Sequence, residues 1–397
     1  MLNEDALLGV YKPAAPLFEG GEGSWLIDED GRRFLDFTSG IAVTSLGHGA
    51  PEIREAALAA LETGLLHTSN LYRTRPPREL AMALTAKTGL DRVFFCNSGG
   101  EAVEAALKFS RRWAGTEEGA RGRGFVALRG SFHGRLFGSL ALTDRPAYRE
   151  PFEPLMPGAH FVDPDDLEAM DRALDPEAVC ALILEPIQGE GGVRPLPAAF
   201  LRQVREWTRE RGILLIFDEI QCGLGRTGYF TAHEQAGVRP DLLTLAKPLA
   251  GGLPMGAVVM TEAVAGAMQP GDHGTTFGGG PFVASVALAV VRRLGDPDFL
   301  VNVRAKGARL RQGLETLRAR HPRRIREIRG EGLILGVEVS GEAAPVVEAA
   351  LDRELLLVGA GPKTVRLLPP LTVNDEEIDL GLERFAGALL DTEDSHG

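Results

Sequence analysis

A series of short, almost wholly apolar runs separated by helix-patterned stretches constrains this chain more than any other feature. The runs are Val93-Phe94-Phe95, Phe125-Val126-Ala127-Leu128, Ala181-Leu182-Ile183-Leu184, Ile213-Leu214-Leu215-Ile216-Phe217, Leu242-Leu243-Thr244-Leu245-Ala246 and Ala257-Val258-Val259-Met260. A strand with one wet face alternates apolar and polar residues, whereas a strand covered on both faces is apolar throughout. Runs of this second kind, joined through helices, predict an α/β core: a mostly parallel sheet with helices on both sides. One connecting helix can be placed over Glu101 to Trp113, where Ala102, Ala105, Ala106, Phe109 and Trp113 fall on one face.

The chain has 397 residues, more than the ~250–300 at which a single core stops growing, so a large and a smaller domain are expected. We place the large domain at 46–289 and the smaller α+β domain at 290–397, with 1–45 as an N-terminal segment packed on the latter. After Pro281 a long helical stretch runs through Val290 to Arg318, and Ile328 to Val339 alternates like one antiparallel strand. Ser24 to Asp36 reads as a hairpin on its Asp30-Gly31 turn signal. Forty-three basic and 55 acidic residues give a net charge of −12, which repels nucleic acid and anionic lipid. The longest apolar stretch, Phe282 to Val291 broken by Ser285, is far short of the ~20 residues of a bilayer span. The acidic start, Met1-Leu2-Asn3-Glu4-Asp5, lacks the basic region of a secretory signal. A cytoplasmic protein is expected. Cys96, Cys180 and Cys222 are too few and scattered for a disulfide framework or metal site, and no His or Cys cluster has metal spacing.

Two of the runs end on functional groups: Phe217 is followed by Asp218, and Ala246 by Lys247. Open sheets bind ligands at the carboxyl ends of their strands. An amine and a carboxylate delivered there grip a pyridinium aldehyde at both poles, the amine on the aldehyde and the acid on the ring nitrogen. That chemistry points to pyridoxal 5′-phosphate. Desolvation would lower the pKa of Lys247 and make it nucleophilic, and Gly251-Gly252-Leu253-Pro254-Met255-Gly256 lets backbone approach a ligand closely. Asn97-Ser98-Gly99-Gly100-Glu101 leaves free N–H groups at a helix start, where phosphate binds. Taken singly, each has an ordinary alternative: a solvated lysine, an Asp capping a loop, a plain strand-to-helix turn. A rival signal is Gly223-Leu224-Gly225-Arg226-Thr227-Gly228, which fits the dinucleotide pattern. Asp218 to Cys222 separate it from the strand and no long helix follows, so it reads as a loop, with an NAD-dependent oxidoreductase as the distant alternative.

Over nearly its whole length the chain resembles the class III, fold-type I pyridoxal-phosphate aminotransferases, and most of all their acetylornithine aminotransferase branch. The stretches that carry the resemblance are Asn97 to Ala102, Phe132-His133-Gly134-Arg135, Glu185 to Gly192, Asp218-Glu219-Ile220-Gln221, Gly223 to Gly228, Leu245-Ala246-Lys247, His273 to Gly279 and Val365 to Pro370. The resemblance implies that Lys247 is the Schiff-base lysine and proton shuttle, that Asp218 pairs the ring nitrogen, and that Gln221 touches the ring oxygen. It implies that Gly99 and Gly100 cradle the phosphate, Phe132 stacks on the ring and His133 flanks it. Thr276 would reach the phosphate of a neighbouring subunit's cofactor, making the site a property of a homodimer, and Thr275 would face the substrate. Arg135 would take a distal carboxylate and Arg366 the α-carboxylate of glutamate, with Glu190 gating Arg366.

The implied reaction moves the ω-amino group of N-acetylornithine, or a similar acylated diamino acid, to 2-oxoglutarate in arginine biosynthesis. Alternatives within the branch are a carrier-linked amine of the lysine pathway, ornithine and 4-aminobutyrate. The chain departs from the family's pattern at Pro248 and Ala250, where glycines are usual, and at Leu136, Cys222 and Gly280. Pro248 is expected to hold Lys247 extended.

Overall fold

A computed structural model describes residues 6–116 and 119–394; the acidic start Met1 to Asp5 lies outside them. The apolar runs become strands of one seven-stranded sheet, in the spatial order Arg92–Cys96, Gly256–Met260, Leu242–Leu245, Leu214–Asp218, Val179–Leu184, Gly124–Leu128 and Ala159–Val162. Only Gly256–Met260 runs antiparallel to its neighbours; the remaining pairs are parallel. Gly124–Leu128, Val179–Leu184 and Leu214–Asp218 are buried at every position, as strands covered on both faces must be. The helix Gly99–Trp113 follows the first strand. Ser98 caps it by accepting from the Glu101 N–H at 3.2 Å, so it begins slightly before the apolar periodicity does.

The C-terminal part differs from its sequence pattern in two places. The single helical stretch through Val290 to Arg318 is two helices, Pro281–Leu294 and Pro297–Arg320. Asp296 caps the second, accepting from the Phe299 N–H at 2.8 Å, and Pro297 occupies the first turn, where its missing N–H costs nothing. The alternation from Ile328 to Val339 is likewise two strands, Ile325–Glu331 and Ile334–Val339, paired antiparallel. Gly332 makes the turn at φ +53°, and a Cβ there would lie 2.6 Å from Thr227 backbone. Thr364–Leu367 and Val358–Gly359 complete this smaller sheet.

The N-terminal hairpin, Trp25–Asp28 with Arg33–Asp36, takes Leu355–Leu356 as a parallel partner, and the Trp25 indole donates to Glu377 at 2.9 Å. Residues 223–228 lie in a run of turns and bends, and only the short 3-10 turn Ala232–Ala236 follows them. Their Arg226, fully buried, donates to the Leu333 and Pro369 carbonyls and to Ser45 Oγ. It ties the N-terminal segment and the smaller sheet to the loop beyond Asp218. Burial pulls its pKa down to about 9, against the opposing charge of Asp36. No helix among the described residues is long and apolar enough to cross a membrane.

Candidate active site

Asp218 closes the strand Leu214–Asp218 in register with Thr244 of the adjacent parallel strand, and that strand delivers Lys247 just beyond its end. Both side chains line a cavity of about 500 Å³, within the usual range for small-molecule sites. Lys247 is not extended. It opens a short 3-10 turn, Lys247–Ala250, at φ +39°, in the left-handed region that non-glycine residues rarely occupy. Pro248 excludes the right-handed helical conformation for the residue before it, and the chain turns here by the left-handed route instead. Burial, reinforced by the nearby charge of Arg366, holds the Lys247 amine below its ordinary pKa, against the pull of Glu190, Asp218 and Glu185. Among the described residues that amine has no hydrogen-bond or ion-pair partner.

The Asp218 carboxylate is held from three directions. His133 Nδ1 lies 2.8 Å from Oδ2, while Thr244 Oγ1 and the Ile220 N–H donate to Oδ1 at 3.1 and 3.2 Å. His133 is itself buried, its N–H donating to Thr143 Oγ1 at 3.0 Å, and its Nε2 has no partner among the described residues. Glu185 lies behind them, accepting from the Phe132 and Gly189 N–H groups at 2.9 and 3.0 Å. Burial pushes its pKa up to about 7; the charge of Asp218 adds to this, and His133 and the two N–H donors oppose it.

Two arginines serve the cavity. Arg366, on the small-sheet strand Thr364–Leu367, is fully buried and donates through one nitrogen to Glu190 Oε1 at 2.6 Å and Gln221 Oε1 at 2.8 Å. Burial alone would raise the Glu190 pKa, but the Arg366 guanidinium overrides it and holds the carboxyl below its usual range. Arg135 lines the cavity wall with Leu136. It stands over the Tyr148 ring at 3.5 Å and the Phe132 ring at 5.9 Å.

The Aminotransferase class-III family model matches residues 11–389. The chain belongs to this family. It is 47% identical to the acetylornithine aminotransferase of Thermosynechococcus vestitus, over 93% of this chain and 91% of the relative. Among solved structures it superposes on the ornithine aminotransferase of Toxoplasma gondii with a TM-score of 0.93 at 31% identity, covering 99% of this chain and 94% of that one. The N-acetylornithine aminotransferase of Stenotrophomonas maltophilia gives 0.84 at 36%, covering 97% and 98%. The protein is thus a class III aminotransferase, a pyridoxal-phosphate-dependent transaminase of fold type I.

The residues fit that cofactor. Lys247 has an unpartnered amine, His133 an orphaned ring nitrogen, and Asp218 a carboxylate fixed at a strand end. Gly99 and Gly100 open the Gly99–Trp113 helix at the cavity edge, and a Cβ on Gly99 would meet the Ile220 side chain at 3.0 Å. The cavity brings together Lys247, Asp218, Gly99, Gly100, Phe132 and His133, and also Gln221, Arg135 and Glu190; Arg366 reaches it through Glu190 and Gln221. Thr275 and Thr276 are not among its walls. Thr275 lines a separate cavity of about 390 Å³ with Asn70 and Tyr72, receiving the Asn97 and Asn70 amides at 2.9 and 2.7 Å, and Thr276 is exposed.

Sequence reasoning gave no role to Glu185, Thr244, Arg145 or Tyr148. Glu185 carried the same signal that singled out Asp218, a carboxylate ending an apolar run. Thr244 sat inside a run and was legible only through strand register.

Proposed function

We propose that this aminotransferase moves the ω-amino group of N-acetylornithine to 2-oxoglutarate, yielding the semialdehyde and glutamate. The observation that carries this is the closed Glu190–Arg366 pair, 2.6 Å apart beside Lys247. A covered Arg366 withholds the α-carboxylate site, so a donor is presented by its far amine; glutamate and 2-oxoglutarate need the arginine uncovered. Bound in the cavity, pyridoxal phosphate supplies an aldehyde to carry the amino group and a ring to accept electrons. Asp218, steadied by His133 and Thr244, holds positive charge at the ring nitrogen. Lys247 Nζ, with its pKa lowered, takes the proton from the amine-bearing carbon and returns it in the reverse sense. The first-turn N–H groups of Gly99 and Gly100 would hold the phosphate, Phe132 and His133 would flank the ring, and Gln221 would reach its oxygen. Arg135 receives the carboxylate distant from the reacting amine.

The chain is proposed to work as a cytoplasmic homodimer. Thr276 would reach the phosphate of the partner's cofactor and Thr275 would face the substrate, and exposed Leu71, Tyr72 and Phe277 near the second cavity supply apolar surface to bury between copies.

The test is a donor panel with 2-oxoglutarate: acetylornithine, acetyl-lysine, ornithine, 4-aminobutyrate and a simple α-amino acid. Acetylornithine is expected to give the highest kcat/KM, and a simple α-amino acid outpacing the ω-amines would overturn the proposal. Ornithine is the second reading, favoured by the 0.93 TM-score to an ornithine aminotransferase; preference for the unacylated donor would establish it. Light scattering at micromolar concentration is expected to give twice the chain mass.

A further inference from the structure

We propose that Tyr148 is the positioning residue for Arg135 and sets the affinity for substrate carboxylates remote from the reacting amine. This rests on Arg135 being the receptor for that carboxylate. The guanidinium carbon of Arg135 lies 3.5 Å from the Tyr148 ring centroid, closer than any other arginine to an aromatic ring among the described residues. On the Phe132 side it is 5.9 Å from the ring. Arg135 makes no hydrogen bond or ion pair among the described residues. What orients it is therefore stacking.

That choice has a chemical consequence. A guanidinium carries its five N–H donors in its own plane, so a ring against its face fixes its direction while leaving every donor free. A carboxylate in the place of Tyr148 would orient Arg135 as well, but it would occupy the very edge an incoming carboxylate needs. An arginine with neither neighbour would lose more side-chain freedom on binding its ligand. The Tyr148 ring thus prepares the receptor without competing for it.

Tyr148 is also well placed to hold still. It lies on the single helical turn Pro146–Arg149, its N–H bonded to the Arg145 carbonyl at 2.9 Å. Arg145 Nη2 donates to the Glu190 carbonyl at 2.7 Å, and Asp144 accepts from the Gly130 N–H at 2.8 Å. One short segment therefore braces Arg135 through a ring and the Glu190 backbone through a hydrogen bond, and is itself tied to the loop after the strand Gly124–Leu128.

The experiment compares Tyr148→Ala, Tyr148→Phe, Arg135→Ala and the double variant Tyr148→Ala/Arg135→Ala as holoenzymes. It measures kcat and KM for acetylornithine and 2-oxoglutarate, and glutarate affinity by calorimetry, which needs no turnover. Tyr148→Ala is expected to raise both KM values and the glutarate Kd about tenfold with kcat within about twofold. Tyr148→Phe should restore them, because the ring face rather than the hydroxyl does the work. In the Arg135→Ala background the loss of Tyr148 should add nothing. Unchanged glutarate affinity in Arg135→Ala removes the carboxylate receptor and the proposal with it. Loss in Arg135→Ala but not in Tyr148→Ala leaves the receptor standing and rejects Tyr148 alone. Equal losses in Tyr148→Phe and Tyr148→Ala, or a fall in kcat with KM unmoved, also overturn the assignment.

Discussion

Arg366 and Arg135 present the same guanidinium to one cavity under opposite conditions. Arg366 is fully buried and spends its donors on Glu190 and Gln221; Arg135 is exposed, rests on the Tyr148 ring and keeps its donors unspent. A buried ion pair must be broken before either partner can serve a ligand, and a buried charge left alone is costly. On the proposed function Arg366 is therefore a conditional receptor, available when a substrate's own carboxylate replaces Glu190, and Arg135 a standing one. An enzyme that accepts different substrates in turn at one lysine needs such an asymmetry: a fixed grip at the end common to both, and a switch at the end where they differ.

On the proposed function Lys247 serves both substrates, so its loss should erase the distinction. Lys247→Ala is expected to lower turnover by about 10³-fold or more in both half-reactions and to abolish the visible absorbance of the lysine-bound cofactor, with circular dichroism unchanged. Appreciable turnover in one direction would show that the switch governs more than binding. Arg366→Ala comes next. Truncating one member of a buried hydrogen-bonded charge pair costs about 2–5 kcal/mol, so the KM for 2-oxoglutarate should rise about 30-fold or more while that for acetylornithine moves much less. Equal rises would erase the conditional character assigned to this end. Glu190→Gln is subtler, because the amide still accepts from Arg366 while losing the charge. Glutamate should gain on acetylornithine by about tenfold in relative kcat/KM; a ratio that stays put would remove Glu190 from the switch.

The two arginines were not equally legible in the sequence. The α/β core was, because strands such as Val179–Leu184 are apolar at every position and a fully covered strand has no other pattern to adopt. Asp218 and Lys247 were too, since a charged residue ending such a strand arrives at the sheet's ligand-binding edge. The Glu190–Arg366 contact joins positions far apart in the chain, and the residues alone gave no hint of it; only the resemblance suggested it. Nothing suggested Tyr148, whose role depends on where one helical turn after a loop comes to rest. The left-handed Lys247 was missed for a related reason: Pro248 forbids one conformation without choosing among those that remain. The break at Asp296-Pro297 was written in the sequence as a cap followed by a first-turn proline, and the apolar period running through it hid the signal.

Glu185 offers the smallest effect and a pH dependence whose sign is fixed. Its pKa is raised in the folded protein to about 7 from an ordinary 4.5, chiefly by burial. Between those values the native state keeps a proton that the unfolded chain has released, so the contribution of Glu185 to stability falls as pH rises through about 4.5 to 7 and levels off above it. The shift corresponds to at most about 3 kcal/mol, and in a chain of 397 residues that is a few degrees of apparent melting temperature. Glu185→Gln, which cannot titrate, should flatten the slope in that window while leaving the more alkaline part of the curve parallel to wild type. Parallel curves throughout would mean that Glu185 is ionised in the folded protein, and that Asp218 tolerates a second negative charge behind His133.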